Sequence, residues 1–214
     1  MSNKRVKLLK KVFNNKVSCL ATYSPGIAKI LDGNVDLILI GDSIGTTLYG
    51  MVNTQGVTLN MMKQHGACVV RNIKKSTTVI DMPYKTYENK YQALRNANEL
   101  IKYTKANLIK IEVDISKVSI VKYLTEKNIN VIAHIGVTPQ SYKDFNKIKI
   151  LGRDVKERDD LITLAIEAEK AGAKCLLLEC ITEYLAKKIT ESVNIPTIGI
   201  GASKYCDGQI LVFD

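Results

Sequence analysis

Acidic side chains stand directly after several of the short apolar runs in this sequence. They are Asp42, Asp81, Glu112 and Glu179, and His134 follows a fifth run in the same way. A single acidic residue after a strand often caps a helix or pairs with a lysine, so one alone would mean little. Parallel strands gather functional groups at their carboxyl ends, and five such residues therefore predict one shared site.

The chemistry of that site follows from its charge. Carboxylates that converge repel one another, and they are costly to keep ionised unless a cation or a lysine balances them. No cluster of histidines or thiolates accompanies them. Ligation by carboxylate oxygens alone suits Mg²⁺, which keeps several waters and takes further oxygens from its substrate. The residues thus predict a metal-dependent active site.

A competing motif overlaps the first of these residues. Gly41-Asp42-Ser43-Ile44-Gly45 fits G-x-S-x-G, the nucleophile turn of serine hydrolases, and it follows an apolar run as that motif should. Such a hydrolase also needs an acid followed by a late histidine. The last histidine is His134, with 80 residues after it, so the hydrolase interpretation is disfavoured.

The elements that must position these residues are eight short β-branched runs that alternate with helical patterns. The runs cover 17–22, 35–41, 77–81, 107–112, 130–134, 174–179, 197–201 and 209–213. Several are continuously apolar, as strands buried on both faces are. Eight strands predict a closed parallel (β/α)₈ barrel. An open doubly wound sheet is the alternative, but no Gly-rich phosphate loop follows the first run.

Helices are predicted between these runs, and one long segment separates the fifth run from the sixth helix. The helices cover 3–14, 25–32, 58–71, 86–104, 116–127, 158–171 and 182–192. Segment 136–157 contains Thr138-Pro139-Gln140 and is predicted to be a functional loop over the barrel mouth. We expect residues 1–214 to form a single barrel domain that is short at its C-terminus, because the sequence stops directly after the eighth run, before an eighth helix.

Composition and charge argue against a nucleic-acid-binding, membrane or secreted protein. The net charge is +10, yet only five of the 31 basic residues are arginine and they are scattered, so no nucleic-acid partner is expected. No apolar run approaches the roughly 20 residues of a membrane span, and the start lacks the apolar core of a signal peptide. A cytoplasmic protein without a membrane partner is predicted. Five cysteines without a C-x-x-C pair favour reduced thiols over disulfides or zinc.

Several short segments spread along the chain form a recognisable set. The segments are Ile40-Gly41-Asp42-Ser43-Ile44-Gly45 with Val57-Thr58, Asp81-Met82-Pro83-Tyr84, Ile109-Lys110-Ile111-Glu112, His134-Ile135-Gly136-Val137-Thr138-Pro139-Gln140-Ser141, Leu178-Glu179-Cys180, Ile195-Pro196-Thr197-Ile198-Gly199-Ile200-Gly201-Ala202 and Asp207-Gly208-Gln209-Ile210-Leu211-Val212. Each segment is weak alone, but their order and spacing fit throughout. From about residue 17 to the end, the chain thereby resembles the ketopantoate hydroxymethyltransferase (3-methyl-2-oxobutanoate hydroxymethyltransferase) family.

The resemblance implies a fold, a reaction and partners. The fold would be a (β/α)₈ TIM barrel of the phosphoenolpyruvate/isocitrate-lyase type, here lacking the last helix and the C-terminal segment. The reaction would move a one-carbon unit from 5,10-methylenetetrahydrofolate onto 3-methyl-2-oxobutanoate and give 2-dehydropantoate, a pantothenate precursor. Mg²⁺ would be the cofactor, the folate would be the co-substrate, and a homo-oligomer, a decamer in that family, would be expected.

The resemblance also implies roles for individual residues. Asp42 and Asp81 match the family's Mg²⁺ ligands, and Glu112 matches its third acidic metal-site position. Ser43 and Lys110 match groups that bind the keto acid, with Asp42 and Asp81 beside them. Glu179 matches the proposed catalytic base, and His134 matches a histidine that lines the substrate site. His65 also matches a family position, and we assign it a packing role.

The residues themselves leave other interpretations open. Lys110 could only neutralise Glu112, Ser43 could cap the following turn, and His134 could be a core histidine. The sequence also departs from the family at Ser24, at Asn146-Lys147 and at Leu151. Two alternative functions therefore remain, another Mg²⁺-dependent barrel enzyme that forms or cleaves a carbon–carbon bond in a 2-oxo acid, and a degenerate barrel without catalysis.

Overall fold

Eight parallel strands form a closed barrel in the computed structural model, which describes residues 16–213. Each strand pairs with the next along the chain, and β8 pairs with β1. The prediction of a closed barrel is confirmed, and the open doubly wound sheet was wrong. The strands are β1 Val17–Ala21, β2 Leu37–Ile40, β3 Thr77–Asp81, β4 Leu108–Glu112, β5 Val131–Gly136, β6 Cys175–Glu179, β7 Thr197–Ile200 and β8 Gly208–Val212.

Seven α-helices lie among the described residues. Six correspond to predicted helices, the predicted helix 3–14 lies outside the described residues, and the short helix after β2 was missed. The helices are α1 Pro25–Leu31, α2 Ile44–Thr47, α3 Leu59–Val70, α4 Lys90–Thr104, α5 Val118–Glu126, α6 Val155–Lys170 and α7 Glu183–Ser192. No helix among residues 16–213 is long and apolar enough to cross a membrane.

Two helices begin three or four residues away from the predicted start, because a side chain caps each start. Helix α4 begins four residues late, after Asn89, whose side chain accepts a hydrogen bond from the backbone N–H of Gln92. Helix α6 begins three residues early, after Asp154, which accepts from the N–H of Glu157 at 2.9 Å. The Glu157 carboxylate in turn accepts from the N–H of Gly152 at 2.9 Å. This reciprocal arrangement stabilises an N-terminus that apolar periodicity does not reveal.

Alternation along the strands places the polar residues. Side chains two residues apart in a strand lie on the same face. Val79 is part of the apolar cluster inside the barrel, and Asp81 therefore faces the same interior one step nearer the mouth. Ile132 and His134 repeat this relation on β5. The barrel interior is consequently apolar below and charged at the carboxyl ends of the strands.

The outer face of the barrel packs against the helices, and helix α3 does so at a glycine. A Cβ added at Gly66 would lie 2.5 Å from Ile80 Cδ1 and 2.9 Å from Thr104 Cγ2. Ile80 is fully buried on β3 and Thr104 is almost so at the end of α4, so neither has free space to move into. Gly66 thus allows α3 to approach both neighbours.

Replacing this glycine tests the packing. We expect Gly66→Ala to lower the free energy of unfolding by about 1–2 kcal/mol, because overpacking outweighs the gain in helix propensity. Urea denaturation measures the change. Gly26→Ala in helix α1 is the matched control, since the nearest atom to its new Cβ is 3.7 Å away, and it should leave stability unchanged or raise it slightly.

A second substitution identifies the clashing atom. Ile80→Val removes Cδ1 and should by itself cost about 0.5–1.5 kcal/mol. In the Gly66→Ala background it should instead restore stability. If the two losses simply add, Ile80 does not limit the approach of α3.

Candidate active site

All seven residues that the sequence singled out line one cavity of about 160 Å³ at the carboxyl ends of the strands. They are Asp42, Ser43, Asp81, Lys110, Glu112, His134 and Glu179. The structure therefore brings the predicted site residues together, although they are spread over 138 positions of sequence. His65 is not among the lining residues. It lies on α3, where its Nε2 is 2.8 Å from the hydroxyl of Tyr49, consistent with its predicted packing role.

The first two acidic residues are joined through the backbone. The N–H of Asp42 donates to Asp81 Oδ2 at 3.0 Å. The turn after β2 is tight, since a Cβ on Gly41 would lie 2.9 Å from Ser43 Oγ and 3.5 Å from Asp81 Oδ2. Asp42 and Asp81 are both buried, so their charges face each other across a region that water reaches poorly.

The ammonium group of Lys110 balances negative charge in this pair of aspartates. Its Nζ lies 2.9 Å from Asp81 Oδ1, and the lysine is as buried as the two carboxylates. The alternative that Lys110 serves only to neutralise Glu112 is wrong, because Asp81 is its ion-pair partner. Burial by itself would lower the pKa of Lys110, but the carboxylates of Asp81, Asp42 and Glu112 outweigh burial and raise that pKa. The lysine is therefore a permanent cation.

His134 lies between Lys110 and Glu179. Lys110 Nζ is 3.4 Å from His134 Nδ1, and an ammonium group only donates, so Nδ1 is the acceptor and the ring proton is on Nε2. Nε2 lies 3.2 Å from Glu179 Oε2, but the two groups are not aligned well enough to form a hydrogen bond. Burial, and then the charge of Lys110, lower the pKa of His134. The imidazole is neutral and presents its N–H toward Glu179.

A glycine brings β5 and β6 close enough for this contact. Gly136 has φ +97°, and a Cβ there would lie 2.4 Å from the carbonyl oxygen of Glu179. Only glycine fits a left-handed backbone this near another main chain. Glu179 ends β6 opposite Gly136, and its side chain is 27% exposed, which makes it the most accessible carboxylate of the site.

Ser43 neither caps a helix nor pairs with a histidine. Its Oγ lies 2.6 Å from the hydroxyl of Tyr23, and it makes no side-chain cap to α2. The partners of His134 are Lys110, Glu112 and Glu179. The serine hydrolase alternative is therefore wrong, because the nucleophile and its base do not meet.

Sequence reasoning missed Gln140, which is buried under the mouth of the barrel. Its Nε2 donates to Asp42 Oδ2 at 2.7 Å and to the carbonyl of Met82 at 3.0 Å. Its backbone N–H is shared between both carboxylate oxygens of Glu112 at 3.1 and 3.2 Å. The hydroxyl of Tyr87 donates to Oε1 at 2.6 Å. Its place in the loop after β5, within a segment that resembles the family, was the available signal, and that signal does not say which way the amide turns.

Thr54 was also missed. It is 2% exposed and lines the cavity, and its Oγ1 has no hydrogen-bond partner among the described residues. A buried hydroxyl without a partner is costly, so a ligand that reaches Oγ1 would relieve that cost. Nothing in the local sequence distinguishes this threonine from its neighbours.

The unbalanced charge of the site suits a divalent cation. Burial, and then the charge of Asp81, raise the pKa of Asp42 to about 7. Burial, and then the charge of Asp42, raise the pKa of Glu112 well above its usual range. Within the part of the chain that the structure describes, Asp81 Oδ1 meets no donor in hydrogen-bond geometry apart from its ion-pair partner Lys110. The negative charge of these carboxylates exceeds the positive charge around them, and a bound cation would balance it.

The arrangement sets a limit on how such a cation is held. Among residues 16–213, no three histidine, cysteine or acidic side chains are grouped so that they alone could hold a metal ion. Mg²⁺ does not need such a cage, because one or two protein carboxylates suffice when waters and substrate oxygens complete its shell. Asp42 and Asp81 fit that requirement.

Solved structures with a similar fold are barrel enzymes. 2,3-Dimethylmalate lyase, a member of the PEP mutase/isocitrate lyase superfamily, matches with a TM-score of 0.72 and 15% identity over 99% of this chain and 80% of that chain. Phosphonopyruvate hydrolase in complex with oxalate and Mg²⁺ matches with a TM-score of 0.70 and 13% identity over 92% of this chain and 70% of that chain. These likenesses confirm the predicted barrel fold.

Sequence relatives are much closer. The model of the ketopantoate hydroxymethyltransferase family matches residues 3–214. The 3-methyl-2-oxobutanoate hydroxymethyltransferase of Pelagibacter ubique is 43% identical over 100% of this chain and 82% of that protein. The enzyme of the same name from Rhizobium rhizogenes is 46% identical over 91% of this chain and 72% of that protein. With the fold and the cavity residues in agreement, the chain belongs to the ketopantoate hydroxymethyltransferase family.

Proposed function

We propose that this protein transfers a hydroxymethyl group from 5,10-methylenetetrahydrofolate to 3-methyl-2-oxobutanoate and gives 2-dehydropantoate for pantothenate biosynthesis. The observation that carries the proposal is one cavity that joins a buried ammonium, two linked aspartates and an accessible glutamate, in a chain of this family. The alternative of a degenerate barrel loses support because all seven predicted residues are present and converge.

Asp42 and Asp81 would hold Mg²⁺, with Glu112 behind them as the third acid. Bound Mg²⁺ would supply Lewis-acid stabilisation of negative charge on the 2-oxo acid. Lys110 is fixed beside Asp81, so its ammonium can meet a substrate carboxylate without moving far. Ser43, on the same wall of the cavity, would donate to the keto acid through its hydroxyl. These groups together bind and orient an anionic substrate.

Glu179 would remove the proton from C3 of the keto acid. It ends β6 at the cavity and is more exposed than the other three carboxylates, which is the place for a base that acts on a substrate entering from the mouth. The neutral His134 presents Nε2–H toward it and so favours one orientation of the carboxylate. Loss of the C3 proton makes C3 a nucleophile, which then forms a bond with the one-carbon unit of the folate. Both C–N bonds of that unit break and tetrahydrofolate leaves, while a water molecule supplies the oxygen of the new hydroxyl group. The C3 proton and the two protons of water end on the two folate nitrogens and the hydroxyl oxygen.

The folate co-substrate and the predicted decamer depend on the resemblance to the family, and the cytoplasmic location depends on the sequence patterns alone. They stay predictions for this chain. The proton-removal step precedes the folate step, so it is the part of the reaction that a test can isolate.

The base assignment is tested by proton exchange without folate. The wild-type protein with Mg²⁺ should exchange the C3 proton of 3-methyl-2-oxobutanoate with solvent deuterium, followed by NMR. Glu179→Gln should lower the exchange rate about 10²–10⁴-fold, because a positioned general base contributes about that much. Its Kd for Mg²⁺ should change little, since Glu179 is not a proposed ligand.

Glu126→Gln, an exposed substitution on α5, is the matched control and should exchange like wild type. Equal loss of Mg²⁺ binding and exchange in Glu179→Gln would show that Glu179 holds the metal site together and is not the base. No exchange by well-folded wild-type protein would reject the proposed substrate.

Removal of a ligand charge should act on metal binding first. We expect Asp81→Asn to weaken Mg²⁺ binding by about tenfold or more in isothermal titration calorimetry, because a carboxylate is exchanged for a neutral amide. Asp36→Asn, below the barrel mouth beside Ser18, is a control for loss of an acidic side chain. Unchanged Mg²⁺ affinity in Asp81→Asn would remove Asp81 from the ligand set.

Mg²⁺ affinity should depend on pH with a definite sign. The pKa of Asp42 is raised to about 7, so below pH 7 its carboxyl group carries a proton that a cation must displace. Affinity should therefore rise as the pH increases from 6 toward 8. Calorimetry at pH 6 in buffers of different ionisation enthalpy should detect release of about one proton per Mg²⁺. Asp42→Asn should reduce this release, and affinity that falls with rising pH would contradict the assignment.

A further inference from the structure

We propose that Gln140 is a positioning residue, which fixes Asp42 and Glu112 in the orientation that receives the divalent cation, and that Tyr87 fixes Gln140. The inference deepens the proposed function and rests on it for the role of the two carboxylates. Gln140 and Tyr87 are each 4% exposed, and neither is among the residues that line the cavity. Their effect must pass through the carboxylates.

The amide group of Gln140 has only one orientation that satisfies its neighbours. Asp42 Oδ2 and the carbonyl of Met82 both lie within 3.0 Å of Nε2, and a carbonyl oxygen can only accept. The opposite orientation would put Oε1 against these two oxygens. Both hydrogens of the amide are therefore used, one for Asp42 and one for Met82.

Tyr87 holds the other side of that amide. Its hydroxyl donates to Gln140 Oε1 at 2.6 Å and accepts from the backbone N–H of Glu112 at 3.3 Å. The hydroxyl thus donates one hydrogen bond and accepts another, and these two bonds hold the tyrosine ring in place. The chain of contacts links the end of β4 to Gln140 and then to Asp42 after β2.

The backbone of Gln140 completes the arrangement. Its N–H meets both oxygens of Glu112, and its carbonyl accepts from Gln55 Nε2 at 2.8 Å. One residue in the loop after β5 thereby touches the segments that follow β2 and β3 and the last residue of β4. No other described residue donates to the carboxylates of both Asp42 and Glu112.

The two carboxylate oxygens of Asp42 therefore differ in their hydrogen bonds. Oδ2 is held by Gln140, whereas no described residue donates to Oδ1. Since Asp42 lines the cavity, Oδ1 is the oxygen available to a cation. Without the amide donor, the carboxylate could rotate, and it would also lose a contact that favours its ionised form. Weaker cation binding follows.

Gln140→Met is the test, because methionine has nearly the same length and keeps the backbone N–H to Glu112. We expect the Kd for Mg²⁺, measured by calorimetry without substrate, to rise about tenfold. The Mg²⁺ concentration for half-maximal exchange of the C3 proton should rise similarly, while the exchange rate at saturating Mg²⁺ should fall less than threefold. Ser141→Ala, in the same turn but paired with Thr138, is the matched control and should change neither.

Tyr87→Phe removes one hydroxyl and is the milder variant should Gln140→Met fold poorly by thermal denaturation. It should raise the Kd for Mg²⁺ about two- to fivefold. In the double variant, Tyr87→Phe should add little to the effect of Gln140→Met, because both act through one amide. Effects on the Kd that multiply in the double variant would overturn the proposed order, in which Tyr87 acts through Gln140.

The failure of this inference differs from failure of the proposed function. If Gln140→Met folds and its Kd for Mg²⁺ stays within twofold of wild type, Gln140 does not position the ligands, whether or not exchange occurs. If the Kd rises but wild type exchanges no proton of 3-methyl-2-oxobutanoate, the positioning role is supported and the substrate is wrong. A lower exchange rate at saturating Mg²⁺ with an unchanged Kd would also overturn the inference.

Discussion

Negative charge concentrated at the mouth of the barrel is the constraint on which the rest of the site depends. Four carboxylates line one cavity and only one ammonium, that of Lys110, lies among them. Burial, and then repulsion between neighbouring carboxylates, raise the pKa of Asp42 and Glu112, so a positive charge at this place would favour their ionised forms. Lys110 and Gln140 supply donors to two of these carboxylates, Asp81 and Asp42.

The barrel makes this concentration possible because its interior face is continuous from strand to strand. Positions such as Val79 and Ile132 fill the lower layers, and the last inward position of β3, β4, β5 and β6 is occupied by a polar residue. The close approach of β5 and β6 at Gly136 then sets the spacing between His134 and Glu179. Strand geometry therefore decides which of the four carboxylates remains accessible, and this is Glu179.

Much of this could be predicted from the sequence, because the relevant signals are local. The strand ends differ from the predicted ends by at most two residues, since β-branched runs and their flanking residues mark them. The predicted starts of α4 and α6 were wrong, because capping by Asn89 and Asp154 overrides apolar periodicity. The gathering of the seven residues also followed from the sequence, since any parallel barrel brings strand ends together.

The sequence by itself thus determined the barrel, the family and the membership of the site. Only the tertiary structure decided the partners, because a partner depends on distances between residues far apart in the chain. Lys110 meets Asp81 on the neighbouring strand, and not Glu112 two residues away, because neighbouring strands pair laterally and place Asp81 beside it. Gln140 reaches Asp42 across 98 positions because its loop folds under the mouth, and no local pattern encodes the direction of that amide. The strand-end acids were therefore visible in the sequence, whereas only the fold shows that Asp81 pairs with Lys110 and that Glu179 is the most exposed of them.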